Sequence, residues 1–189
     1  MVSMRTPFRQ VGATRALAIV CLGLVLVAGL FLHARLNKDP AADLARAEAG
    51  NVTELASALW ANVPGRDFSS LSTRQALEAR LIPAPMLRHS GPPVRSAWGT
   101  EVEVLPYKVA QEGDALMVRY KDLPPSACNS LIVELAPSLY DIQIHRRSVM
   151  AGGRAVGSDV SSACQGASTT VDFIYQPEFI PGTAMARSR

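Results

Sequence analysis

The sequence predicts an α+β fold in which a long N-terminal helix, half membrane-spanning and half amphipathic, packs on a small antiparallel sheet. Three observations predict it. An unbroken apolar segment near the N-terminus runs into an Ala-rich stretch with a helical stripe. Runs of period-two alternation begin after residue 100. Between the runs, Cys128, Leu131, Ile132 and Leu135 recur at i, i+3, i+4 and i+7, the spacing of one buried helix face.

The apolar segment is the strongest signal. Ala16 to Ala34 is nineteen residues long, and His33 is its one ionisable side chain. As a helix it spans roughly 28 Å, close to the hydrocarbon thickness of a bilayer. It shows no polar face, as a helix on a soluble protein would. Arg5, Arg9 and Arg15 precede it, and the first acid of the chain is Asp39. That bias places residues 1–15 in the cytoplasm as a basic leader and carries the exported domain, 35–176, across the inner membrane. The competing reading is a cleaved signal peptide with a small-residue site near Ala28-Gly29 or Ala34; the length of the core and the nearby Arg35 favour a retained anchor. Cys21 follows Val20, where a lipoprotein needs a small residue, so it reads as a small apolar residue of the helix.

Beyond the anchor, Asp39-Pro40 reads as N-cap and first residue of the amphipathic half, which runs to Trp60. Its stripe is Leu44, Ala47, Val52, Leu55 and Leu59, with Gly50-Asn51 weakening the middle. Pro64-Gly65 marks a loop. Ser72-Thr73-Arg74-Gln75 has the pattern of a capping box and starts a short helix, with Gln75 reaching back to the Ser72 amide and Pro83 and Pro85 ending it. Glu101–Val104 and Ala115–Tyr120 alternate as strands across the turn signal Gly113-Asp114. Pro124-Pro125 opens the helix that carries Cys128. Tyr140–Ile144 and Val171–Tyr175 alternate again, with a Gly152-Gly153 loop between them. Residues 177–189 show little periodicity and read as a flexible tail.

Composition narrows the function classes. Hydrophobic residues make up 48% of 189, enough for one packed domain plus an anchor. The net charge of +3 is weak, and no Lys/Arg block interleaves with aromatics, so nucleic acid is not an expected partner. With Cys21 in the anchor, Cys128 and Cys164 remain in the exported part, where an oxidising compartment would join them. No CxxC or Cys/His cluster points to a metal, and no GxSxG, HExxH or phosphate-cradling glycine loop points to catalysis or a cofactor. His33 suits a membrane interface, His89 lies in a Pro/Gly-rich loop, and His145 precedes Arg146-Arg147 at a strand end. Glu101 and Glu103 read as a solvated sheet face rather than a catalytic carboxylate pair. The sequence nominates no catalytic, metal or cofactor residue.

The layout and several local motifs resemble the type IVb pilins, in particular the PilS-like major pilins of thin conjugative pili. The residues that carry the resemblance are Ile82-Pro83-Ala84-Pro85-Met86, Ala97-Trp98-Gly99-Thr100 before the first strand, Leu123-Pro124-Pro125-Ser126-Ala127-Cys128, and Ala163-Cys164-Gln165-Gly166 before the last strand. The resemblance spans about residues 16–176. It implies a Trp98-Gly99 step into the first strand and a disulfide from a helix (Cys128) to a segment before the last strand (Cys164). It also implies a role as a pilus subunit, in conjugation or cell adhesion. The partners would be the lipid bilayer before assembly, the pilus assembly machinery, and copies of itself or other pilins in the filament. In such a family the leader ends in Gly and the mature segment carries Glu at its fifth position. Gly12 and Ala13 would flank that cleavage here, and the fifth residue is Leu17. A minor pilin, a pilin-like assembly factor or a permanently anchored relative tolerates this departure better than a major subunit.

Overall fold

The computed structural model describes residues 40–87, 93–166 and 168–176. The apolar segment 16–34, the leader with Gly12 and Ala13, His33, His89 and the tail 177–189 lie outside the described residues. Among the described residues no helix is long and apolar enough to cross a membrane.

Helix α1 is Pro40–Asn62, and proline suits its first position because its fixed φ matches the helix and its missing N–H would have no partner there. α1 buries Ala45, Glu48, Ala49, Val52, Leu55, Ala56 and Leu59. The C-terminal half of the stripe is as the sequence predicts. The N-terminal half is turned by one residue: Leu44 and Ala47 are exposed while Ala45 and Glu48 are buried. The cause is polar, since Glu48 is held by partners on the sheet, as described below.

Helix α2, Thr73–Glu78, is capped by the Ser72 hydroxyl, which accepts from the Gln75 amide at 3.3 Å. The Gln75 side-chain oxygen meets that same hydroxyl, 3.3 Å away, rather than the Ser72 amide. α2 also stops short of Pro83. Arg80 takes a left-handed φ of 57°, the Leu81 amide bonds to the Ala76 carbonyl (2.9 Å) and the Arg80 amide to that of Leu77 (3.0 Å). This is a Schellman closure, which satisfies the end carbonyls before proline has any effect.

The sheet contains β1 (Val102–Tyr107), β2 (Ala115–Leu123), β3 (Asp141–Ile144), β4 (Arg147–Ser148) and β7 (Thr169–Tyr175). All pairings are antiparallel and the order is β1-β2-β7-β3-β4. Strands pair in register so that one face is apolar throughout: Val102 and Val104, Leu116, Val118 and Tyr120, Val171, Phe173 and Tyr175, Ile142 and Ile144. Helix α3, Pro125–Leu135, joins α1 against this face with Cys128, Leu131, Ile132 and Leu135 buried as the spacing predicts. Fully buried side chains such as Phe68, Leu59 and Leu131 each contribute about 1.5–3 kcal/mol of transfer free energy. Strands β5 (Met150–Ala151) and β6 (Arg154–Ala155) form a hairpin closed by Gly152-Gly153. A seven-residue helix, α4 (Gly157–Ala163), follows it. The sequence shows α4 only as loop because Val160 is its one buried residue.

The opposite sheet face is mixed. Arg119 and Asp172 stand directly opposite each other on β2 and β7 and pair in a fork, Nε to Oδ1 at 2.7 Å and Nη2 to Oδ2 at 3.0 Å. Lys121 bridges Glu101 (3.1 Å) and Glu103 (2.7 Å), so these carboxylates belong to a charge-paired sheet face. Beside them Ala115, Met117 and Ile174 form a second small buried cluster, with Leu105, Tyr107 and Val109 packed against it.

The β1 edge is closed by a short backbone bridge, a threonine side chain and a proline rather than by a full strand. The Val102 amide bonds to the Val94 carbonyl (2.9 Å). Thr73 Oγ1 accepts from the Val104 amide (2.8 Å) and donates to the Val104 carbonyl (3.4 Å). Pro106 has no N–H to offer. Each donor along this edge is capped or missing, which blocks pairing with another strand. At the far edge β4 is only two residues long.

The β1–β2 loop is organised by Asp114, whose carboxylate accepts from the amides of Val109 (2.8 Å), Ala110 (2.7 Å) and Gln111 (2.9 Å). Gly113, at φ 73°, leaves no room for a side chain, because a Cβ there would collide with the Ser69 backbone. Partial desolvation pushes the Asp114 carboxyl up, and the amides of Val109, Gln111 and Ala110 outweigh it and hold the group below its ordinary value. The ionised form is therefore the stabilising one. Its contribution is present above the ordinary carboxylate pKa and disappears as pH falls through the lowered value. Asp114→Asn should reduce stability by about 1 kcal/mol at pH 7, and urea titrations should show the gap from wild type closing below about pH 4.

Candidate functional site

The head holds α1 through one buried carboxylate. Glu48 is 1% exposed and accepts three hydrogen bonds: from the Tyr120 hydroxyl (Oε1, 2.8 Å), the Asn51 side-chain amide (Oε2, 3.1 Å) and the Ala97 backbone amide (Oε2, 3.2 Å). No cation stands against it among the described residues. A carboxylate can be buried only when its oxygens are met by donors, and here one donor comes from its own helix, one from mid-sheet and one from a turn.

Each partner is placed by its element. Tyr120 lies on the inward side of β2, and its ring meets Phe173 edge to face, centroids 5.6 Å apart and planes at 83°. Burial, then the charge and hydrogen bond of Glu48, push its hydroxyl well above the ordinary tyrosine value. It therefore remains a donor across the physiological range. Ala97 belongs to the hairpin between Val94 and Val102, whose tip is Trp98-Gly99. The buried Ser96 hydroxyl accepts from the amides of Trp98 and Thr100, both at 3.2 Å, and shares a 2.7 Å bond with the Thr100 hydroxyl. Gly99 closes the turn at φ 76°, and its carbonyl accepts from the Arg95 guanidinium at 2.7 Å. The half-buried Trp98 packs on the core. The Trp98-Gly99 turn leads into β1, and its neighbour Ala97 is tied to a carboxylate on the long helix.

Sequence reasoning missed Glu48. The signal was present: Glu48 lies four and seven residues before Val52 and Leu55, on their face of α1, among alanines too small to cover it. It also missed that an inward-facing tyrosine needs a buried acceptor.

Cys128, on the buried face of α3, and Cys164, which ends α4, are joined as a disulfide with Cα atoms 5.8 Å apart. Arg46 on α1 reaches Asp43 (3.6 Å) and Glu134 on α3 (3.4 Å), an exposed clip of small energetic weight. The remaining face of α1 presents Asp43, Ala47, Gly50, Glu54, Ser57 and Ala61 to the outside. Of the histidines, His145 is described and is exposed.

A long helix clasped on one face by a disulfide-stapled antiparallel head, and free along the other, is the architecture of a type IVb pilin. Among solved structures, a type IVb pilin from Salmonella typhi matches with a TM-score of 0.52 and 19% identity, over 69% of this chain and 98% of that one. A family model described as PilS N-terminal matches residues 42–176, and the chain belongs to this family of type IVb pilins. A search of curated protein sequences returns no match.

Two measurements test the clasp and the staple. Glu48→Ala leaves three donors unmet and should cost about 3 kcal/mol, and Tyr120→Phe about 2 kcal/mol; a double-mutant cycle between Glu48→Gln and Tyr120→Phe should give a coupling of about 1–2 kcal/mol. Additive effects would show that the two side chains do not work together. Cys128→Ser with Cys164→Ser should cost about 4 kcal/mol, the chain-entropy value for a loop of this length, and non-reducing mass spectrometry of the wild-type chain should find no free thiol at either position.

Proposed function

We propose that the chain is a structural subunit or minor pilin of a type IVb pilus, held in the inner membrane before assembly by the apolar helix 16–34. The observation that carries this reading is the family match over 42–176 on a head that leaves one full face of α1 uncovered. Before assembly the apolar half of the spine contacts lipid, with the leader in the cytoplasm and the head in the periplasm. In the filament the same spine packs against other pilin subunits while the head faces outward, in a pilus of conjugative or adhesive type. Its work is packing, and the reading assigns it no enzymatic activity, metal or cofactor. Interlocking apolar side chains suit both settings, because a helix without charges is at home in lipid and in a bundle of its own kind.

A second reading has one observation in its favour: Leu17 stands where the family's Glu is expected, and no acid precedes Asp39. It makes the chain a permanently anchored periplasmic binding or scaffold domain that does not polymerise. Sequencing the mature N-terminus together with pilus cofractionation separates the two. A start at Ala13 and recovery in sheared filaments is the expected result. A start at Met1 with the protein confined to the membrane fraction would establish the scaffold reading, and a start beyond Ala28 would overturn the anchor altogether.

A further inference from the structure

At the end of the sheet where β3 turns into β4, the structure holds a cleft of about 400 Å³ lined by Arg119, Lys121, His145, Arg146, Thr170 and Asp172. It lies on the outer, polar face of the sheet, away from the core that clasps α1. Three of its six lining residues are permanent cations and one is an acid. That acid, Asp172, is 2% exposed and gripped through both oxygens by Arg119, so these two charges balance each other. The fork uses Nε and Nη2 of Arg119 and leaves Nη1 without a partner among the described residues. Lys121 is pinned from the β1 side by Glu101 and Glu103. Arg146 forms no ion pair among the described residues.

The turn that presents Arg146 is built at a cost. Ile144 pairs with Arg147, so His145 and Arg146 form a two-residue hairpin loop, and both take left-handed φ values, 50° and 67°. Asn-Gly or Gly-Gly adopts this turn with little strain, whereas a His-Arg pair is strained at both positions. The β5–β6 hairpin, a few residues on, uses Gly152-Gly153 at its own tip. His145 and Arg146 thus stand where glycines would fit more easily, and both line the cleft.

We propose that this cleft is a binding site for an oxyanion, a phosphate or carboxylate group displayed on a larger ligand. Arg146 supplies the free fork and the unbalanced positive charge, the unused nitrogen of Arg119 supplies a further N–H donor, and the Thr170 hydroxyl can donate to a remaining oxygen. A guanidinium fork matches the paired oxygens of either group, which is why the chemistry is shared between a phosphate ester and a uronic acid. The site rests on the geometry of the head alone and is independent of whether the chain assembles.

The test is calorimetric titration of the full-length chain, in a neutral maltoside detergent, with inorganic phosphate and separately with a polyuronate oligomer. Saturable one-site binding of at least one of them is expected. Phosphate alone would assign the site to phosphate esters, and the polyuronate alone to acidic polysaccharide. Arg146→Ala should weaken binding by about tenfold or more. Arg146→Gly should weaken it equally while raising the melting temperature, since glycine relieves the strained turn and removes the charge. Arg74→Ala, on the exposed face of α2 and paired with Glu78 (3.6 Å), should bind as wild type does. Absence of saturable binding by either probe, wild-type affinity in Arg146→Ala, or an equal loss in Arg74→Ala would each overturn the proposal.

Discussion

The head depends on the burial of Glu48. A helix laid on a sheet by apolar contacts alone can slide or rotate with little penalty, since one methyl group replaces another. A carboxylate that must find three donors has few alternatives. Turning α1 by one residue would remove Glu48 from Tyr120 and from the Ala97 amide together, leaving a buried charge and two unmet donors. Helix register, hairpin position and the tyrosine's rotamer are thereby fixed by one group. This is specificity obtained from polar satisfaction, with the bulk of the stability supplied by the apolar core around it.

The clasp also separates the two faces of α1. Val52, Leu55, Ala56 and Leu59 are committed to the head, and no rearrangement could lend them to a neighbour without opening the core. Whatever packs against the spine does so on the other face, where, Leu44 apart, the exposed side chains are small, polar or charged. Glu48 is equally committed. It is buried, and its oxygens accept from Tyr120, Asn51 and Ala97 of its own head.

Much of this was legible in the sequence, and the failures have physical causes. Strands that bury one face announced themselves by alternation: Ala115 to Leu123 and Thr169 to Tyr175 extend the expected runs by a few residues, and Val102 to Tyr107 starts one residue later than expected and runs three further. α3 was legible because four apolar residues fall on one face. α4 was not, because a seven-residue helix with a single buried side chain carries no periodicity. The end of α2 was misplaced because a left-handed arginine closed it, and nothing in the identity of Arg80 signals that role as a glycine would. Glu48 was missed for a related reason. Patterns built on hydrophobicity treat a charge as a marker of the outside, and its burial is decided by donors contributed from residues 97 and 120.

The sealed β1 edge bears on life at high density. Subunits that stand side by side in large numbers meet their own copies far more often than other partners, and an open strand edge would turn such meetings into mispaired sheets. Thr73, Pro106 and the short hairpin beside Val102 remove that route without adding an element to the fold. A head whose β1 edge offers no free donor to another strand can be packed closely and still keep its own shape.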